Sequence, residues 1–195
     1  MVYNVVKGLF IVFFRLFFPY VVEGRENIPE EGPLIICSNH ISWMDPPLVG
    51  VVLTGKKVHF MAKAELFDIF IIGSIIKKVG AFPVKRDTAD IKTIKTSIAL
   101  LREKKCIVLF PEGTRSKPGE IKDALPGAAL IALKSQSPIL PVAIKGPYRL
   151  FRKNPIGVGK PITFDALYGQ KAKRELLQQV SHEIMQEIRQ IHAGL

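Results

Sequence analysis

The chain has 195 residues, of which 48% are hydrophobic and 23% are charged. This is enough for one domain with a sizeable core, too few for two ordinary ones, and too hydrophobic for a disordered protein. Its 28 basic and 17 acidic residues give a formal net charge of +11, and its mean hydropathy is +0.21. Because the chain is both basic and apolar, a membrane surface is favoured over nucleic acid as its partner.

Residues 1–20 form the most apolar stretch of the chain. On a helical wheel this stretch has one narrow polar face, formed by Asn4, Lys7, Gly8 and Arg15 with Ile11 among them. The pattern predicts an amphipathic helix that lies in the headgroup region of a membrane and precedes a single domain at 21–195. A spanning helix and a core helix are the alternatives, although Lys7 and Arg15 interrupt the roughly 20 apolar residues that spanning requires.

Short apolar runs alternate with helical patterns along the rest of the chain. We predict helices at 45–53, from 87–91 to about 104, at 126–135 and at 174–191, and strands at 34–37, 58–62, 81–84, 106–110, 138–144 and 156–164. This alternation predicts a single-domain α/β sandwich with a largely parallel central sheet flanked by helices. Cys37 and Cys106 lie inside apolar runs, which indicates buried thiols and a reducing compartment rather than disulfides or a metal site.

His40 and Asp45 follow the first predicted strand. Functional groups gather at the carboxyl ends of parallel strands, and an imidazole beside a carboxylate can remove a proton from a hydroxyl near neutral pH. In an ideal helix, residues five apart are about 140° off a common face, so the pair can meet only if the chain bends between strand and helix. The alternative is that Asp45 caps a helix and His40 binds backbone groups.

Three further segments place charged residues after strands. The segment at 110–116 offers a glycine turn and the guanidinium of Arg115, which matches a phosphate in shape and charge; a surface turn is the alternative. Lys85 and Arg86 end another strand and are either further phosphate ligands or a solvated basic strand end. The same holds for Lys63, which precedes Glu65.

Taken together, these segments resemble the glycerolipid acyltransferase family, and within it the 1-acyl-sn-glycerol-3-phosphate acyltransferases. The N-H-x-x-x-x-D block matches residues 39–45, the glycine-aromatic-arginine block 80–86, the F-P-E-G-T-R-S block 110–116 at every position, and the P-V-x-I block 138–144. Four blocks in the right order cover most of the chain and are far more specific than any one of them.

The resemblance implies roles for individual residues. His40 is the expected general base and Asp45 its orienting partner. The expected ligands of the acceptor's glycerol phosphate are Asn39, Lys63, Lys85, Arg86, Glu112, Gly113, Thr114 and Arg115. The block at 138–144 is expected to shape the acyl-chain side.

The implied reaction moves an acyl chain from acyl-coenzyme A or acyl carrier protein to the free sn-2 hydroxyl of lysophosphatidic acid. The resemblance also implies no tightly bound cofactor or metal, no nucleic-acid partner, and a peripheral or monotopic enzyme at the cell membrane with its site on the cytoplasmic side. Three alternatives remain open: an acyltransferase acting on a lysophospholipid with a larger headgroup, a non-catalytic lipid-binding protein of the same fold, and, on charge alone, a nucleic-acid-binding module.

Overall fold

A seven-stranded sheet forms the centre of the molecule in the computed structural model, which describes residues 2–53, 55–84, 90–117 and 119–195. The strands are β1 (Tyr20–Glu23), β2 (Leu34–Ser38), β3 (Val58–Lys63), β4 (Phe82–Val84), β5 (Cys106–Leu109), β6 (Ile139–Ile144) and β7 (Asn154–Val158). Their order across the sheet is β1-β7-β6-β2-β5-β3-β4. Every neighbouring pair is parallel except β6 and β7, which confirms the predicted fold class.

The central strands explain why the short apolar runs could be identified from sequence. Every residue of β2, β5 and β6 is buried, because helices cover both faces of the sheet. A strand buried on both faces has a continuous apolar sequence rather than an alternating one.

Six helices surround the sheet within the described part of the chain. They are α1 (Val2–Phe17), α2 (Asp45–Val52), α3 (Phe70–Lys78), α4 (Ile91–Arg102), α5 (Gly127–Ser135) and α6 (Arg174–Gly194). The β2–α2–β3 and β3–α3–β4 connections run in one direction across the sheet, and those through α4 and α5 run in the other. Right-handed crossovers therefore place α2 and α3 on one face and α4 and α5 on the opposite face.

Each face of the sheet has its own core. One core joins α1 and α2 to the sheet and contains the fully buried Phe14. The other joins α4, α5 and α6 to the sheet, and its buried members Val180, Ile184 and Ile188 follow the predicted helical spacing of α6. Cys37 and Cys106 are free and buried, as expected, and burial raises the pKa of both thiols.

The N-terminal helix differs from its prediction in length and in the partner of its polar face. It ends at Phe17, and it packs against α2. Lys7 Nζ donates to the Leu53 carbonyl oxygen at 2.8 Å, so this cation binds the end of α2 rather than facing headgroups. The exposed stripe of α1 is apolar and consists of Val5, Leu9, Val12 and Leu16. None of the helices in the described ranges combines the length and apolar character needed to cross a bilayer.

Three elements differ from the sequence prediction. The strand expected at 156–164 lies at Asn154–Val158 and is the antiparallel member of the sheet. The short edge strand β1 was not predicted, and neither was α3. Strand β1 has only four residues, of which Tyr20 and Val22 pack against the first core, and the buried residue of α3 is Gly73. Neither element therefore carries a buried periodicity long enough for sequence-based prediction.

Candidate active site

Three of the predicted site residues lie at the carboxyl edge of the parallel strands. His40 lies two residues beyond the end of β2, Glu112 three residues beyond β5, and Lys63 is the last residue of β3. Because β3, β5 and β2 are neighbours in that order, their following loops lie side by side.

His40 and Asp45 are paired in the structure. His40 Nδ1 lies 2.7 Å from Asp45 Oδ2, with Asp45 fully buried and the histidine 8% exposed. The intervening residues are not helical, which resolves the geometric obstacle noted for an ideal helix. The same Oδ2 accepts hydrogen bonds from the backbone N–H groups of Ile41 at 2.6 Å and Ser42 at 2.7 Å, so the turn folds around the carboxylate.

The second oxygen of Asp45 has a partner that sequence reasoning missed. The hydroxyl of Tyr148 donates to Asp45 Oδ1 at 2.7 Å. Burial raises the pKa of Tyr148, and the negative charge of Asp45 raises it further, so the phenol stays protonated and acts as a donor. Tyr148 belongs to none of the four motif blocks, and it reaches Asp45 only because the loop after β6 returns to this edge.

Glu112 holds the His40 segment from the other side. Its Oε1 accepts the backbone N–H of His40 at 2.7 Å, and its Oε2 accepts from the Lys122 N–H at 3.0 Å and from the Ser116 hydroxyl. The His40 carbonyl in turn accepts the Ser116 N–H at 2.8 Å. Both carboxylate oxygens of Glu112 therefore accept hydrogen bonds from the protein itself, whereas the family resemblance implied that Glu112 binds the substrate.

Asn39 also has a structural position. Its side-chain amide donates to the Ile144 carbonyl at 3.0 Å and accepts the Ile144 N–H at 2.8 Å. The residue is fully buried. It therefore joins the ends of β2 and β6 beneath the site, and its role as a ligand stays a prediction.

The remaining expected ligands are exposed or lie outside the described residues. Thr114 and Arg115 are exposed, and Lys63 forms a half-exposed ion pair with Glu65 at 3.2 Å. Lys85 and Arg86 lie outside the described residues.

Gly113 turns the chain before Thr114 and Arg115. It has a φ of +70°, and a Cβ at this position would lie 2.5 Å from Leu125 Cδ1. The positive φ is what favours glycine here, because the side chain of Leu125 is 56% exposed and can move aside.

The chemistry available to His40 follows from its contacts. The ring stacks on Phe110 with centroids 4.2 Å apart, and Asp45 occupies Nδ1. A carboxylate at Nδ1 favours the tautomer whose free lone pair is on Nε2, which can accept a proton from a hydroxyl. In the described ranges, no group of three or more His, Cys, Asp or Glu residues is arranged to hold a metal ion.

Comparison with known proteins agrees with this arrangement. The acyltransferase family model matches residues 20–145. The 1-acyl-sn-glycerol-3-phosphate acyltransferase of Bacillus subtilis is 34% identical over 179 residues, which cover 89% of this chain and 88% of that protein. A protein of the same name from Borreliella burgdorferi is 34% identical over 140 residues, covering 69% of this chain and 54% of that protein.

A solved structure extends the similarity to the whole fold. The crystal structure of the 1-acyl-sn-glycerophosphate (LPA) acyltransferase PlsC from Thermotoga maritima has a TM-score of 0.74 and 26% identity to this chain, covering 98% of it and 79% of the PlsC chain. The family match spans more than half of the sequence and includes the paired His40 and Asp45. The chain therefore belongs to the acyltransferase family.

Proposed function

We propose that this protein transfers an acyl chain from an acyl thioester to the free sn-2 hydroxyl of 1-acyl-sn-glycerol 3-phosphate, producing phosphatidic acid. The observation that carries the proposal is the buried 2.7 Å contact between His40 and Asp45, in a chain similar to proteins named for this reaction.

The proposed mechanism uses His40 as general base. The acceptor hydroxyl gives its proton to His40 Nε2 while its oxygen attacks the thioester carbonyl carbon. The tetrahedral intermediate then collapses, the carbon–sulfur bond breaks, and the imidazolium returns the proton to the leaving thiolate. Asp45 stabilises the imidazolium between these two steps. No covalent acyl-enzyme is required.

The exposed cations supply the proposed acceptor site. Arg115 is solvent-accessible on the loop that Glu112 fixes against His40, which suits a guanidinium that binds a phosphate. We infer that Lys85 and Arg86 complete this phosphate site, as their motif block implies, with Lys63 at its margin. An acceptor held by its phosphate would present the hydroxyl to His40 at a high effective concentration.

The donor and the location are part of the same proposal. Acyl-coenzyme A and acyl carrier protein are both acidic, and the net charge of +11 attracts either one. The apolar stripe of α1 is exposed, which favours peripheral binding to a membrane where lipid acceptors reside. We place the site on the cytoplasmic side, where both donors are made.

The test is an acyl-transfer assay on purified protein with lysophosphatidic acid, using each donor in turn. His40→Ala should lower turnover by at least about 10²–10⁴-fold, the usual contribution of a general base. His182→Ala is the matched control, because His182 is exposed on α6, and it should behave as wild type. Near-normal turnover by His40→Ala would contradict the base assignment, and a preference for lysophosphatidylcholine would contradict the acceptor.

A further inference from the structure

Helix α3 exposes an unusual amount of apolar surface. Phe70 is 89% exposed and Ile71 is 67% exposed, and the surrounding apolar residues that share this exposure are Leu66, Ile69, Ile72 and Ile75. We call these six residues the α3 patch. Exposed apolar residues clustered in this way mark a surface that is covered by a partner or a membrane.

The internal packing of α3 shows why the patch is uncovered. Gly73 is the buried residue of the helix, and a Cβ there would lie 2.3 Å from the Phe67 carbonyl oxygen. The helix thus sits on the 3-10 turn at Ala64–Phe67 through a glycine, with its large side chains directed to solvent.

The charge and position of α3 indicate which kind of partner covers the α3 patch. The helix ends in Lys77 and Lys78, both exposed, so an apolar surface is flanked by cations. Right-handed crossovers place α3 on the same sheet face as α2, against which α1 packs. Helices α3 and α1 therefore lie on the same face of the sheet.

We propose that the α3 patch is a second membrane-binding surface, which inserts into the acyl region of an anionic bilayer while Lys77 and Lys78 contact headgroup phosphates. This rests on the membrane association given above as part of the proposed function. Because α3 follows the carboxyl end of β3, its insertion holds the open edge of the active site against the bilayer.

The first experiment measures binding to vesicles of phosphatidylcholine and phosphatidylglycerol by cosedimentation. Ile71→Glu should weaken partitioning about tenfold or more, since burial of an isoleucine is lost and a charge is added. Ile91→Glu is the matched control, because Ile91 is 66% exposed at the start of α4 on the opposite face. Lys77→Gln with Lys78→Gln should weaken binding to anionic vesicles and leave binding to neutral vesicles unchanged.

The second experiment observes insertion directly. The chain has one tryptophan, Trp43, so Phe70→Trp in a Trp43→Phe background gives a single reporter. Its emission should shift to the blue on vesicle binding and be quenched by brominated acyl chains.

Three results overturn the proposal. They are wild-type vesicle binding by Ile71→Glu, a tryptophan at position 70 that brominated lipids do not quench, and an Ile71→Glu defect confined to transfer from acyl carrier protein, which would identify a protein-docking surface instead. The first two readouts do not need the transferase reaction. If the protein bound vesicles through α3 but transferred no acyl chain, that result would contradict the proposed function and leave the membrane-binding proposal standing.

Discussion

At the residue scale, the hydrogen bond from Tyr148 to Asp45 is the contact in the site that the sequence did not predict. The Tyr148 hydroxyl is a donor to the carboxylate that faces His40, so in the proposed mechanism it acts through Asp45 as a positioning residue. Tyr148→Phe should lower kcat about tenfold with little change in KM, because a hydrogen bond to a charged group is lost.

The control for that prediction is Tyr20→Phe. The Tyr20 ring packs edge-on against Phe14, so the change removes a hydroxyl in a similar environment away from Asp45. If both variants lower kcat by the same factor, Tyr148 has only a packing role.

Glu112 and Arg115 allow the framework of the site to be separated from its substrate surface. Glu112→Gln places an amide N–H₂ among N–H and hydroxyl donors and should lower the free energy of unfolding by about 1–3 kcal/mol, measured by urea denaturation. Arg115→Ala should leave stability unchanged and raise the KM for lysophosphatidic acid, because Arg115 is exposed. An unchanged stability with a raised acceptor KM in Glu112→Gln would return this residue to the ligand role implied by its motif.

At the element scale, α1 is joined to the body of the protein by a lysine as well as by its buried Phe14. Lys7 Nζ donates to the carbonyl of Leu53, the C-terminal cap of α2, and to that of Lys56 at 3.4 Å. Lys7→Met should cost about 1 kcal/mol of unfolding free energy, since these carbonyls lose their cation. Arg15→Met on the same helix should cost nothing measurable because Arg15 is exposed, and equal losses in the two variants would contradict this interpretation.

At the scale of the whole molecule, two histidines should make stability depend on pH. Burial lowers the pKa of His59 and of His192, and nearby lysines lower both further. The folded state then binds fewer protons than the unfolded state, so stability should fall as pH drops below about 6.5, the pKa of an unfolded histidine. Denaturation at pH 7.5 and 5.5 measures this, and His59→Asn with His192→Asn should flatten the slope. An unchanged slope in the double variant would contradict the assignment.

The sequence predicted those elements whose hydrophobic pattern shows by itself which residues pack into the core. Continuous apolar runs predicted the buried strands β2, β5 and β6, and amphipathic spacing predicted α6. The motif blocks identified His40 and Asp45. Helix α3 was missed because it packs too little to show a buried stripe. Tyr148 was missed because its contact with Asp45 joins residues 103 positions apart, and only the folded loop after β6 brings them together.

The junction between α1 and the loop after β6 has a practical consequence for preparing the enzyme. The Phe17 carbonyl accepts the Phe151 N–H at 2.7 Å, and the ring of Phe18 meets that of Tyr148 edge-on. A truncated chain that begins at Tyr20 would lose the packing of Phe18 against Tyr148, whose hydroxyl binds Asp45. Turnover should therefore be measured on a chain that keeps residues 1–19, so that the contacts around Tyr148 and Asp45 are retained.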